Sequence, residues 1–162
     1  MPGKRATEAC PCGYKGDTDH HCRCSDKLIE RYCGRISGPL LDRIDIRIEV
    51  QRPSIGEMQA REALPLPEAA VCSVPQICAA RVRQQQRAGC LNARLPVPRM
   101  AHDCRLEPAA AALLERSATA LALTGRGLHR LLRLGRTIAD LAESTEIAAA
   151  HLAEAIQLRR GP

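Results

Sequence analysis

Apolar positions along this chain change their period as the sequence proceeds, and each regime predicts a different kind of structure. Residues 1–24 carry Gly, Pro, Asp, His and Cys with almost no periodicity, which reads as a loop organised by something other than a hydrophobic core. Ser25 then offers an N-cap with Asp26 beside it, and Leu28, Ile29 and Tyr32 recur at helical spacing until Gly34, Gly38 and Pro39 interrupt them. From Ile44 the series Ile44, Ile46, Ile48, Val50 alternates with Asp45, Arg47, Glu49 and Gln51, the period-2 pattern of a half-buried strand. No second run of similar quality follows, and one strand is not a sheet. Pro53, Gly56, Pro65 and Pro67 punctuate a linker within residues 52–67.

Beyond the linker the composition shifts to Ala, Leu and Arg, and three or four helices are predicted. Residues 68–89 read as helical, with Pro75 expected to break or kink the segment near its start. Asn92 to Pro98 reads as extended or turning, followed by a short helix up to Cys104. Pro108 suits the first turn of a helix running to about Leu123. Thr124 and Gly125 open the next, which lasts to about Glu143, and Ser144 and Glu146 flank a last helix ending near Arg159. On a helical wheel Leu128, Leu131, Leu132, Gly135, Ile138, Ala139 and Ala142 fall within an arc of about 120°. Arg126, Arg130 and Arg133 project from the opposite side, either as a solvated face or as a row spaced to meet phosphate.

Composition narrows these readings. With 162 residues the chain holds one ordinary domain, or a small domain with an appendage. Phe and Trp are absent, so the core must be built from Leu, Ile, Val and Ala, which favours small-residue helix packing. The shortage of rings also argues against a single-strand nucleic-acid platform, which relies on base stacking. A net charge of +6, carried mainly by arginine, is compatible with phosphate, nucleic acid or acidic protein partners and selects none of them. Residues 1–20 contain no apolar signal-type stretch and no run approaches membrane-spanning length, so a cytoplasmic location is expected.

Nine cysteines in a cytosolic chain suggest metal ligands or inert thiols rather than a disulfide framework. Cys10, Cys12, Cys22 and Cys24 form two C-x-C pairs that can supply four thiolates to one zinc ion, with His20 or His21 as substitutes for one of them. The alternative is a set of free thiols. Cys33, Cys72, Cys78, Cys90 and Cys104 have no ligand-like spacing and are expected to be small apolar packing residues. His102, His129 and His151 are expected at the surface or as caps. A nucleotide-cradling G-x-x-x-x-G-K-[ST] loop is missing from the 162 residues, and so is an Asp-Glu pair for a Walker B site.

Several segments nevertheless resemble one family. C-P-C-G-Y (Cys10 to Tyr14), C-R-C (Cys22 to Cys24), R-Y-C-G-R-I-S-G-P-L-L-D-R-I-D (Arg31 to Asp45), L-N-A-R-L-P (Leu91 to Pro96) and L-H-R-L-L-R-L-G-R-T-I-A-D-L (Leu128 to Leu141) occur in the order found in the ComM/YifB-type, magnesium-chelatase-like AAA+ ATPases. The resemblance implies a mainly α fold: a C-terminal helical lid bundle, preceded by a remnant of the α/β AAA+ core with one helix and one strand, and by a cysteine-rich loop. It implies residues 1–24 as a zinc-type loop, 25–56 as the end of the core, 57–67 as linker and 68–162 as the lid.

Functionally the resemblance implies a hexameric ring of homologous subunits, using ATP and Mg to drive branch migration of DNA in recombination and transformation. Arg43 would match the arginine finger that reaches a neighbouring subunit's nucleotide, and Arg126 the sensor-2 arginine, with Arg126 and Arg130 binding the cofactor phosphates. By itself Arg43 also reads as a local ion pair with Asp42 and Asp45. The sequence departs from the family pattern at Glu8 and Ala9, where an Asn-Pro carries sensor 1, and at Cys33, Leu128 and Pro75. Without a P-loop the chain is expected to be inactive alone. The alternatives are a zinc-bearing nucleic-acid-binding or ring-capping adaptor, or a decayed gene product. Apolar periodicity predicts a well-folded lid and a labile N-terminal region.

Overall fold

A computed structural model of the chain describes residues 10–16, 20–35, 43–48, 50, 56, 58 and 68–160. The departures at Glu8 and Ala9, the segment 36–42 and nearly all of the predicted linker lie outside them. Helices α1 (Asp26–Cys33), α2 (Glu68–Ala88), α3 (Met100–Asp103), α4 (Pro108–Ala120), α5 (Gly125–Leu141) and α6 (Ala149–Arg160) account for most of the described chain, with short 3-10 turns at Asn92–Arg94 and Val97–Arg99. The fold is mainly helical, as the resemblance implied.

Helix α5 packs against α2 and α6, and α4 packs against α6. Leu131, Leu134, Ile138 and Ala139 of α5 meet Leu95, Met100, Cys104, Ala110, Ile147, Leu152 and Ala155 in one apolar core. Burying each of its larger aliphatic side chains contributes about 1.5 to 3 kcal/mol. Small residues let the helices approach: a Cβ at Gly135 would lie 3.4 Å from Ile147 Cγ2 and 3.7 Å from Leu152 Cδ1. The starts of α4 and α6 are tied by a parallel bridge between Leu106 and Ile147, in which Glu107 N–H donates to the Ile147 carbonyl at 3.1 Å and Ile147 N–H to that of Arg105 at 2.8 Å.

The helix starts fall at the predicted positions, although the Ser25 side chain makes no capping bond. Ser25 is the N-cap of α1, where its carbonyl accepts from Leu28 and Ile29. Pro108 occupies the first turn of α4. Thr124 caps α5 with its side chain, Oγ1 accepting the Gly127 N–H at 3.0 Å. Thr124→Ala strands that donor and is expected to cost about 1 kcal/mol in urea denaturation; an unchanged midpoint would show that the cap adds nothing to α5.

Four expectations need correction. Helix α2 passes through Pro75 without ending. Proline's fixed φ suits a helix, its missing N–H removes a single bond, and it sits early in α2, ahead of Ala80 and Gln84, which are buried. The alternating segment from Ile44 forms no strand ladder among the described residues. Ile44 is half-buried, but Ile46, Ile48 and Val50 are exposed, and among the described residues no layer covers them. Cys33 and Cys78 are exposed instead of packed, whereas Cys90 is half-buried and Cys104 is buried, its thiol pushed up to about 11 chiefly by burial; the side chain of Cys72 lies outside the described residues. Finally, burial on α5 extends beyond the predicted arc to Leu134, Arg136 and Asp140, because neighbours surround this helix on more than one side. Among the described residues no helix is long and apolar enough to cross a membrane.

Candidate functional site

The cysteine loop is shaped by a tight turn. Gly13 adopts a φ of 78°, in the left-handed region that a residue without Cβ enters at little cost, and its N–H donates to the Cys10 carbonyl at 3.1 Å. The reversal puts Cys10 and Cys12 side by side, with their sulfurs 3.3 Å apart. Cys22 Sγ lies 3.7 Å from that of Cys10 and 3.6 Å from that of Cys12. With Cys24, all four sulfurs lie within 4.8 Å of one another. A tetrahedral ion with bonds of about 2.3 Å to sulfur sets its ligands about 3.8 Å apart, so the four thiols can hold a metal ion.

The thiols are unequal before any metal arrives. The Tyr14 backbone N–H, helped by the Cys10 thiol, lowers Cys12 to about 6. Cys24 is pushed up to about 12 by its hydrogen bond with Cys12 and by burial. At Cys22 the Cys24 backbone N–H pulls down, but burial and the thiols of Cys12 and Cys10 outweigh it and the net direction is up. The charged form is therefore favoured at Cys12 and disfavoured at Cys22 and Cys24, since negative charges crowded into so small a volume repel one another without a cation. His20 stacks on Tyr14 at 4.8 Å between ring centroids. Neither His20 nor His21 belongs to the four-sulfur cluster.

The arginines expected at nucleotide are distributed over two segments. Arg126 is exposed in the first turn of α5, and Arg43 is exposed on the segment 43–48. Arg130, one turn after Arg126, has its guanidinium engaged: Nη1 donates to Asp45 Oδ1 at 2.5 Å and to the Arg43 carbonyl at 2.8 Å. Asp45 thus pairs with Arg130. Arg133 donates to the Leu95 carbonyl at 2.7 Å through Nη2 and at 3.2 Å through Nε. The row read from the wheel as a cationic face is in large part spent on the chain's own backbone and carboxylate.

Sequence reasoning missed a buried charged network at the centre of the bundle. Asp140, 1% exposed, accepts from Arg87 Nη1 at 2.6 Å and Nη2 at 2.8 Å, from Asn92 Nδ2 at 2.7 Å and from Arg136 Nε at 3.1 Å. Arg136 is fully buried and also donates to the carbonyls of Thr145 at 2.8 Å and Ser144 at 2.5 Å. Asn92 N–H donates to Gln84 Oε1 at 3.0 Å, which ties the turn after α2 back onto α2, while Asn92 Nδ2 reaches Thr137 and Asp140 of α5. Arg99 closes the C-terminus of α2, donating to the carbonyls of Ala88 and Arg87. His151 acts as a cap, its Nδ1 accepting the Ala148 N–H at 3.1 Å. The available signal was the spacing of Arg136 and Asp140, four residues apart on one helix, together with Asn92 in L-N-A-R-L-P.

A helical bundle stitched by a buried arginine–aspartate network, with a four-thiol loop at the other end of the sequence, defines a helical protein with a candidate structural metal centre. Comparison with known proteins narrows the class. Residues 71–159 match the family described as magnesium chelatase, subunit ChlI C-terminal, and residues 5–58 match magnesium chelatase, subunit ChlI. The chain belongs to the magnesium chelatase subunit ChlI C-terminal family. It is 38% identical to the uncharacterized protein YifB of Escherichia coli (strain K12) over 90% of this chain and 28% of that protein. It is 39% identical to the competence protein ComM of Haemophilus influenzae over 88% of this chain and 28% of the relative. An uncharacterized Mycobacterium bovis protein, Mb2921c, is 30% identical over 96% of this chain and 30% of its own length. The chain therefore spans less than a third of the length of these relatives.

Proposed function

We propose that this chain is a C-terminal portion of a ComM-like AAA+ ATPase, a cytoplasmic ring that uses ATP to drive DNA branch migration during recombination and transformation. The observation that carries the reading is the 39% identity to the competence protein ComM over 88% of this chain, together with the family matches over residues 5–58 and 71–159. In this reading residues 1–24 form a zinc loop, 25–56 the end of the ATPase core, 57–67 a linker and 68–162 the lid.

Arg43 acts as a finger toward the neighbouring subunit's nucleotide. Its exposure and the capture of Asp45 by Arg130 support this role, since a guanidinium not neutralised by that carboxylate can meet a phosphoryl group. Arg126, exposed at the start of α5, acts as sensor 2 on the nucleotide bound in its own subunit. Zinc on Cys10, Cys12, Cys22 and Cys24 is structural, because four thiolate ligands leave no open position for water. The 162 residues carry neither a P-loop nor a Walker B pair, so hydrolysis requires partner sequence that supplies them.

The test is Arg43→Ala in a reconstituted, nucleotide-hydrolysing ring. Removal of a finger is expected to lower turnover by about 10³ to 10⁵. Normal turnover would remove Arg43 from the chemistry.

A further inference from the structure

Among the described residues, polar contacts hold the segment that carries Arg43 on the bundle. Arg130 of α5 donates to the Arg43 carbonyl at 2.8 Å and to the Asp45 carboxylate at 2.5 Å. Two residues on, Arg47 N–H donates to the Leu158 carbonyl of α6 at 2.7 Å. Apolar burial does little of this work, because Ile46 and Ile48 are 46% and 73% exposed. Directional bonds therefore dock the segment, and among the described residues Arg130 makes two of them.

We propose that Arg130 and Asp45 are positioning residues that clasp the Arg43 segment to α5, so that Arg43 and Arg126 are carried on one unit. Arg126 and Arg130 are four residues apart, one turn of the same helix face. A displacement of α5 felt at Arg126 is transmitted through the Arg130 guanidinium to the backbone of Arg43 itself. The inference rests on the proposed roles of Arg43 and Arg126 for its meaning in a ring, but the clasp belongs to this chain and is testable in it. It assigns Arg130 to the protein's own backbone in place of nucleotide phosphate.

Hydrogen exchange on the 162-residue chain measures the clasp through the Arg47 amide. Asp45→Arg places two guanidiniums against each other, and Arg130→Asp removes both donors while setting carboxylate against carboxylate. Each is expected to speed Arg47 exchange about fivefold or more while α5 and α6 stay protected. The double variant Asp45→Arg/Arg130→Asp restores opposite charges and should recover most of the protection, an outcome that simple damage to the bundle does not produce. Single variants with parental exchange, or a double variant no better than the singles, would overturn the clasp. In a reconstituted ring, Asp45→Arg should lower kcat and leave KM for ATP unchanged, with recovery in the double variant. Normal kcat there, in a ring that Arg43→Ala disables, would overturn the positioning role. If Arg43→Ala itself leaves turnover normal, it is the finger assignment that fails, and the exchange experiment still decides the clasp.

Discussion

Asp140→Ala is expected to destabilise the bundle by about 3 to 5 kcal/mol, a large part of the stability of a domain this size. Among the described residues Asp140 is the carboxylate that Arg87 and Arg136 share, and Arg136 is fully buried. Removing it leaves a buried guanidinium with no counter-charge and also frees Asn92 Nδ2, so the contacts joining α2, the turn after it and α5 fail together. Arg87→Ala should cost less, because the Asp140–Arg136 pair survives and Arg87 retains 23% exposure. Urea denaturation followed by helical circular dichroism checks both. A loss below about 1 kcal/mol in Asp140→Ala would mean that water or rearrangement replaces the carboxylate.

The same network sets a pH dependence. Burial raises the Asp140 carboxyl, but the hydrogen bonds from Arg87 and Asn92 and the charges of Arg136 and Arg87 outweigh it, so the folded group lies below its ordinary 3.8. A depressed folded pKa means that the stabilisation is complete above about 4 and is lost as pH falls through the lowered value. The bundle should therefore weaken in acid, and Asp140→Asn should flatten that part of the profile.

The second large effect concerns the cysteine loop. Protein purified under reducing conditions is expected to carry about one zinc ion per chain, and Cys10→Ser or Cys22→Ser should abolish stoichiometric binding. Among the described residues of 10–24, Cys10 alone is fully buried and no apolar cluster is seen, and the turn rests on Gly13 and the sulfur contacts. Removing a tetrahedral ion should therefore unfold the loop while α2 to α6 persist on their own core. Metal analysis, with exchange across residues 10–24 before and after chelation, provides the check. Absence of stoichiometric metal together with indifference to chelator would leave the four cysteines as free thiols.

Local chemistry made much of the architecture legible in advance. Ser25, Pro108 and Thr124 were readable as helix starts because capping and proline preferences act over a few residues. The two C-x-C pairs were readable as one cluster because short spacings restrict where their sulfurs can go. The family itself was legible as ordered motifs, a form of information that survives without coordinates. The alternation from Ile44 was sound as a pattern and still formed no ladder among the described residues, since a strand exists only when another backbone pairs with it.

What the sequence determined alone was thus the helical character of residues 68–160, the positions at which helices begin and the grouping of four thiols. Tertiary structure decided the fate of the charges. A helical wheel puts Arg130 and Arg133 on one cationic row and says nothing of Arg136, yet Arg136 is buried on Asp140, Arg133 caps the Leu95 carbonyl and Arg130 clasps the Arg43 segment. Their partners lie at separations of 4, 38 and 87 residues. Helical periodicity reports which side of a helix a residue occupies, whereas the partner of a charge depends on which distant backbone or carboxylate the packed fold brings to it.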